Sequence, residues 1–178
     1  MARTSPGIAA DAVPRTPSLS ARTDERKTSL PLATPAVVHA HTASHRAEVA
    51  IVRLVNRERR ARGLRGLRIS ARLAAVARYQ TLDMLHSNRL DHTSSDGTTA
   101  DVRIRRAVRA KASGETIAFA SSGSGSGARA IVRLWMSSPA HAAVLLSPTF
   151  RRIGIGRERG RLGTAPGVVV TANLASRR

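Results

Sequence analysis

Apolar residues recur at helical spacing in two stretches of the chain. Ile51, Leu54 and Val55 define the first, and Leu73, Val76, Ala77, Gln80 and Met84 share one face of the second. Ser44 is the predicted N-cap of the first helix, with Glu48 in its first turn complementing the dipole. Gly63 should end that helix, and Leu64, Gly66 and Leu67 form a short apolar connector. Ser70 is predicted to cap the second helix, which runs to about Ser87. A third helix is expected from about Thr99 to Arg109, with Val102 and Ile104 partly buried. Ile131, Val132, Leu134 and Trp135 predict a fourth, stopped by Pro139, and a short helix follows from Ala140 to Leu146.

Near the C-terminus the pattern changes. Ile153 and Ile155 alternate with Gly154 and Gly156, and Val168, Val169 and Val170 form a β-branched run. Gly160, Gly163, Pro166 and Gly167 punctuate the connection between these two predicted strands. Helices followed by a terminal hairpin predict an α+β domain, with helices packed on a small antiparallel sheet. Residues 1–43 lack any such period. Pro6, Pro14, Pro17, Pro31 and Pro35 oppose helix and sheet, so this stretch reads as a disordered tail or linker before one folded domain at 44–178. His39, His41 and His45 at its end fit a flexible surface tract better than a weak metal site. A second low-complexity stretch, Ser121–Gly127, reads as a flexible loop.

Charge adds one question. The formal net charge is +19, and Lys27 and Lys111 are the only lysines. Such a balance suits an anionic partner, whether nucleic acid, membrane or acidic polymer. The bases are spread along the chain, however, which favours solvated arginines. Aromatics make up only 2% of residues, so the stacking platforms of single-strand binders are missing and nucleic acid is disfavoured. The chain has no cysteine, which excludes disulfides, thiolate metal sites and a cysteine nucleophile. No apolar run is long enough for a transmembrane helix. Pro6, Asp11, Pro14 and Arg15 interrupt any export-signal core.

Three polar residues are candidates for chemistry: His92 in a polar loop, Glu115 in Gly114–Ala118, and His141 after Pro139. Imidazole and carboxylate are zinc ligands, and a catalytic zinc needs three of them plus an open position. Spacing alone does not bring these three together, and each also has a structural alternative as a loop brace, arginine partner or helix-start bond. A serine triad is not supported. Gly123-Ser124-Gly125-Ser126-Gly127 imitates a nucleophile elbow but has no preceding strand. Gly154 and Gly156 sit in a strand and are no phosphate loop.

An ordered series of short motifs carries a family resemblance. It runs through Val55-Asn56-Arg57-Glu58-Arg59, Gly63-Leu64, Leu73-Ala74-Ala75-Val76-Ala77-Arg78 and Asp83-Met84. His92, Gly97, Gly114-Glu115-Thr116-Ile117-Ala118, Trp135 to His141 and Ile153-Gly154-Ile155-Gly156 complete it. Together they resemble the bacterial branch of the CAP superfamily (cysteine-rich secretory, antigen 5 and pathogenesis-related proteins) over about three-quarters of the chain. The resemblance implies a three-layer α-β-α sandwich, secreted or on the cell surface. It also implies a central cleft in which two His and two Glu can accept zinc or another divalent cation. His92, Glu115 and His141 match three of those positions; Ser138 stands at the fourth, Thr116 replaces the usual Asn, and Ala140 and Ala142 replace the usual Gly and Arg. Under this resemblance the expected role is a monomeric binding module for a lipid, cell-wall polymer or protein. A metal-dependent hydrolase with Glu115 as general base is the first alternative, and an arginine-driven binder of anionic polymer or nucleic acid the second.

Overall fold

The computed structural model describes the backbone of residues 35–177, and the side chains of residues 43–177 apart from Ser124. The elements run α1 (Pro35–Arg60), β1 (Arg68–Ile69), α2 (Ala71–His86), α3 (Ala100–Ala107), β2 (Ser113–Ser121), α4 (Ala128–Ser137), α5 (Pro139–Leu146), β3 (Arg152–Leu162) and β4 (Ala165–Ala175). The strands form one sheet in the order β1-β3-β4-β2. The expected terminal hairpin is β3–β4, flanked antiparallel by β2. The sheet is mixed rather than purely antiparallel, because the two-residue β1 joins β3 in parallel. The hairpin is also longer than its punctuation suggested. Gly160, Pro166 and Gly167 lie inside the strands, and Gly163, at φ +60, makes the turn.

Alternation along β4 separates two helical layers. Val168, Val170, Ala172 and Leu174 point with Ile153 and Ile155 toward one layer. There they meet Ile51, Val52 and Val55 of α1, Ile131, Val132 and Trp135 of α4, and Leu145 of α5. The opposite face packs against α2 and α3. Leu73 and Ile104 meet Ala175 there, and Met84 meets Ile117 and Val169. The result is the expected α-β-α sandwich. Among the described residues no helix is long and apolar enough to cross a membrane.

The Ile-Gly-Ile-Gly alternation explains how close the layers come. A Cβ on Gly154 would lie 2.0 Å from the Ala74 backbone nitrogen and 2.2 Å from the Leu73 carbonyl carbon. One on Gly156 would lie 2.3 Å from the Arg78 nitrogen. The isoleucines fill the core on one side while the glycines admit the backbone of α2 on the other.

Local expectations met mixed outcomes. Ser70 caps α2 as read, its hydroxyl accepting from the Leu73 N–H. Ser44 is not an N-cap: α1 begins earlier, at Pro35, where proline suits a first helical turn. The Ser44 hydroxyl instead donates to the Arg157 carbonyl at 2.6 Å. Glu48 is buried and accepts from Arg78 at 3.0 and 3.2 Å, so it braces α1 to α2 instead of serving a helix dipole. In α3, Ile104 is fully buried while Val102 is exposed. His45 is solvent-facing beside Glu48; the side chains of His39 and His41, and the tail before residue 35, lie outside the described residues.

Arg59 takes a role that the sequence did not lead one to expect. It is fully buried near the end of α1. Its Nε donates to the Arg65 carbonyl at 2.9 Å, and Nη1 to those of Leu145 and Ser147 at 2.6 and 3.0 Å. One guanidinium thus ties α1 to the β1 connector and to the end of α5. Burial, and then the charge of Arg151, push its pKa below the ordinary arginine value.

The glycine contacts make a sharp test. Gly154→Ala should lower stability by about 3 kcal/mol, because the new methyl meets backbone that has no rotamer to yield. Gly125→Ala, with nothing near its Cβ position, should change it by less than about 0.5 kcal/mol. Urea midpoints of the two variants measure the difference.

Candidate functional site

The site is organised by β2, an edge strand of the sheet. The pleat turns Glu115 toward the α2–α3 layer, opposite Asn173 of β4. The Glu115 side chain is only 2% exposed. Its Oε1 lies 2.9 Å from His92 Nδ1, and its Oε2 accepts from Arg103 Nη2 at 2.9 Å. The Asn173 amide, oriented with its nitrogen toward Glu115, also donates to Oε2 at 2.9 Å while its oxygen accepts from the Ala77 N–H at 3.2 Å. A buried carboxylate is tolerated only when paired and hydrogen-bonded, and these contacts meet that condition.

His92 is delivered by the loop between α2 and α3, which the network holds. Gln80, fully buried on α2, donates to the Asp91 carbonyl at 2.7 Å and accepts from the Ser94 hydroxyl at 2.8 Å. Arg103 donates to the carbonyls of His92 and Thr98 at 2.9 and 2.6 Å and to Ser94 Oγ at 2.8 Å. Asp91 accepts from the Thr93 N–H, and Asp83 from the Ser95 N–H, both at 2.8 Å. Gly97, at φ +81, makes the tight return. The imidazole itself is about half exposed, so a fixed ring faces solvent.

His141 comes from the other layer, in the first turn of α5 after Pro139. It is partly buried, and its Nδ1 is buried with no hydrogen-bond partner among the described residues. It lies near enough to His92 for that charge to act on it. The two imidazoles are therefore driven apart in basicity. The bond to Glu115 raises the His92 pKa above the ordinary histidine value, against burial, which lowers it. Burial, then the His92 charge, push His141 below that value.

The structure thus joins His92 to Glu115 directly and brings His141 within electrostatic range. Among the described residues no group of three His, Cys, Asp or Glu is arranged to hold a metal. Both Glu115 oxygens are already engaged, by His92, Arg103 and Asn173. Four residues of the site escaped sequence reasoning. Gln80 and Asn173 carried a signal, since each is polar within an apolar pattern and so needs a buried partner. Nothing distinguished Arg103 from its neighbours Arg105 and Arg106, or Ser94 from Ser95.

A three-layer sandwich with a braced histidine loop over an edge-strand glutamate defines a class of domain, and comparisons with known proteins agree with it. The family model described as "CAP: Cysteine-rich secretory protein family" matches residues 52–174. The chain belongs to that family, though it has no cysteine of its own. It is 32% identical over 131 residues to the uncharacterized protein YkwD of Bacillus subtilis (strain 168), covering 73% of this chain and 47% of that protein. The chain therefore spans about half the length of this curated relative. An extracellular protein containing a SCP domain from Bacillus anthracis str. Ames superposes with a TM-score of 0.67 at 26% identity, over 84% of this chain and 45% of that one. An outer surface protein from Borrelia burgdorferi shares the fold, with a TM-score of 0.57 at 21% identity over 71% of this chain and 90% of that one.

The opposed shifts give a titration test in chelator-treated protein. His92 should titrate above, and His141 below, the ordinary value of about 6.5. The stability that His92 contributes is complete below about pH 6.5 and lost as pH rises through its folded value. The contribution of His141 is complete above about pH 6.5 and lost as pH falls through its folded value. Imidazole proton NMR across about pH 4–9 reads both. Equal pKa values would show that the Glu115 contact does not persist in solution.

Proposed function

We propose that the chain is an extracellular or cell-surface binding module whose ligand end is the His92–His141 face, and that these two imidazoles take a divalent cation such as zinc. One observation carries it: two histidines within electrostatic range, one with Nδ1 fixed by a buried carboxylate and the other with a buried nitrogen lacking a partner among the described residues. A carboxylate behind one ring nitrogen orients the other toward a ligand and raises its basicity. Glu115 is then a positioning residue rather than a third ligand, and Arg103 and Asn173 hold it in place. A bound cation would supply Lewis acidity at the open face.

The hydrolase alternative is less well supported. A general base needs an oxygen within reach of the water it activates. Glu115 is almost wholly enclosed, with both oxygens engaged, and Ser138 stands where the family's second acid would be. A groove of about 490 Å³ lined by Val76, Tyr79 and Arg106 opens beside Arg103 and offers space for part of a ligand such as a lipid, a wall polymer or a protein segment. The extracellular placement draws on the Bacillus anthracis relative, which is described as extracellular.

Calorimetric titration of the full chain with zinc tests the proposal. Wild type should bind one equivalent, and His92→Ala and His141→Ala should each abolish binding. Glu115→Gln should weaken it by about 10- to 100-fold, as expected for an outer-sphere partner. Zinc binding unaffected by either histidine substitution would overturn the two-imidazole site.

A further inference from the structure

Away from the histidine face, the sheet register concentrates arginines that the sequence leaves scattered. Parallel pairing of β1 with β3 sets Arg68 beside Arg152, and antiparallel pairing sets Arg152 opposite Ala175, two residues before Arg177. Arg65, Arg68, Arg151, Arg152 and Arg177 consequently line one concavity of about 370 Å³, with Gly66, Ile69 and Ser70 completing it. Among the described residues no carboxylate lines it. Some arginines elsewhere are matched: Arg62 with Glu58, Arg78 with Glu48 and Glu158, Arg89 with Asp91, Arg105 with Asp101. Among the described residues none of the five has such a partner. Five arginines among eight lining residues set this concavity apart from the α1–α4 surface, where Arg57, Arg129 and Arg133 share their lining with Glu58.

Two of the five guanidiniums are held in place. Arg152 Nη2 donates to the carbonyls of Arg109 and Ser176 at 3.0 and 2.7 Å, and Arg151 Nη1 to that of Phe150 at 2.9 Å and to that of Pro148. Each fork keeps further N–H groups for another acceptor. Arg59 lies buried near them, close enough for the Arg151 charge to act on it. Cations crowded without counter-charge favour an anion, and guanidinium forks match phosphate oxygens in pairs.

We infer that this concavity binds the phosphodiester groups of a base-free polyanion, a polyol-phosphate chain. The composition of the lining disfavours a reader of unstacked bases. None of its residues is aromatic, so unstacked bases would find no platform. Several arginines along one concavity suit successive phosphates of a flexible chain better than one small anion. The inference is independent of the metal proposal, since none of the five residues belongs to the histidine face.

The experiment uses the full chain and a fluorescent glycerol-phosphate oligomer, with a deoxythymidine oligomer of equal phosphate number for comparison. Arg65, Arg68 and Arg177 are exposed and make no side-chain hydrogen bonds among the described residues, so R65Q/R68Q/R177Q should leave folding intact. This triple variant should bind the glycerol-phosphate oligomer at least tenfold more weakly at low salt. Its log–log salt slope should be shallower by about 2, from three lost phosphate contacts. R57Q/R129Q/R133Q removes the same charge from the α1–α4 surface and should stay within twofold of wild type. Equal weakening by both triples would overturn the site in favour of diffuse charge. Tighter binding of the deoxythymidine oligomer by wild type would overturn the base-free polyanion, and no saturable binding would overturn both.

Discussion

The seating of α2 on the glycine face of β3 is the contact on which the rest depends. With Gly154 and Gly156 against the backbone of Leu73 to Arg78, the helix lies lower on the sheet than side chains would permit. That depth lets Thr81 Oγ1 meet Thr171 Oγ1 at 2.9 Å and the Asn173 amide reach the Ala77 N–H. From the same helix, Gln80 and Asp83 hold the loop that carries His92. A helix raised by one methyl layer would move these anchors away from the strand that bears Glu115. The packing requirement of the fold and the geometry of the site are thus one constraint.

Two of the buried arginines show different ways to enclose a cation. Arg103 is neutralised by Glu115 and distributes its remaining donors over loop carbonyls. Among the described residues Arg59 has no carboxylate partner and relies on three carbonyl oxygens, of Arg65, Leu145 and Ser147. Removing one partner of a buried pair leaves an uncompensated charge, which costs far more than the pair gained in forming. Arg103 and Glu115 therefore stand or fall together, and with them the orientation of His92. A carbonyl-held cation such as Arg59 instead fixes chain geometry, because each acceptor belongs to backbone that must arrive at the right place.

Much of the fold was legible in the sequence because helical period and terminal alternation are local signals. The second helix and its Ser70 cap, the helix broken at Pro139, and the hairpin around Gly163 all follow from such patterns. β1 was not legible, since two residues carry no period, and β2 was hidden because Gly114, Glu115 and Thr116 dilute its apolar run. Ser44 and Glu48 misled for a shared reason. Both looked like end-of-helix chemistry, but each is used in a tertiary contact, with Arg157 and Arg78 respectively. At the candidate site, His92, Glu115 and His141 were singled out through their family pattern. Their bracing by Arg103, Asn173 and Gln80 depends on long-range register, which a single sequence does not express. The arginine concavity is hidden for the same reason, because its members lie up to 112 positions apart (Arg65 to Arg177).

Trp135 is the chain's single tryptophan. It is wholly buried in the α1–α4–α5 layer, with Nε1 donating to the Ile117 carbonyl at 3.1 Å. Its intrinsic fluorescence is therefore a built-in optical reporter with one address. A red shift on solvent entry registers the undocking of α4 from the sheet. The histidine loop, on the far side and without an indole, stays optically dark, so the two halves of the sandwich can be followed separately without attaching a dye.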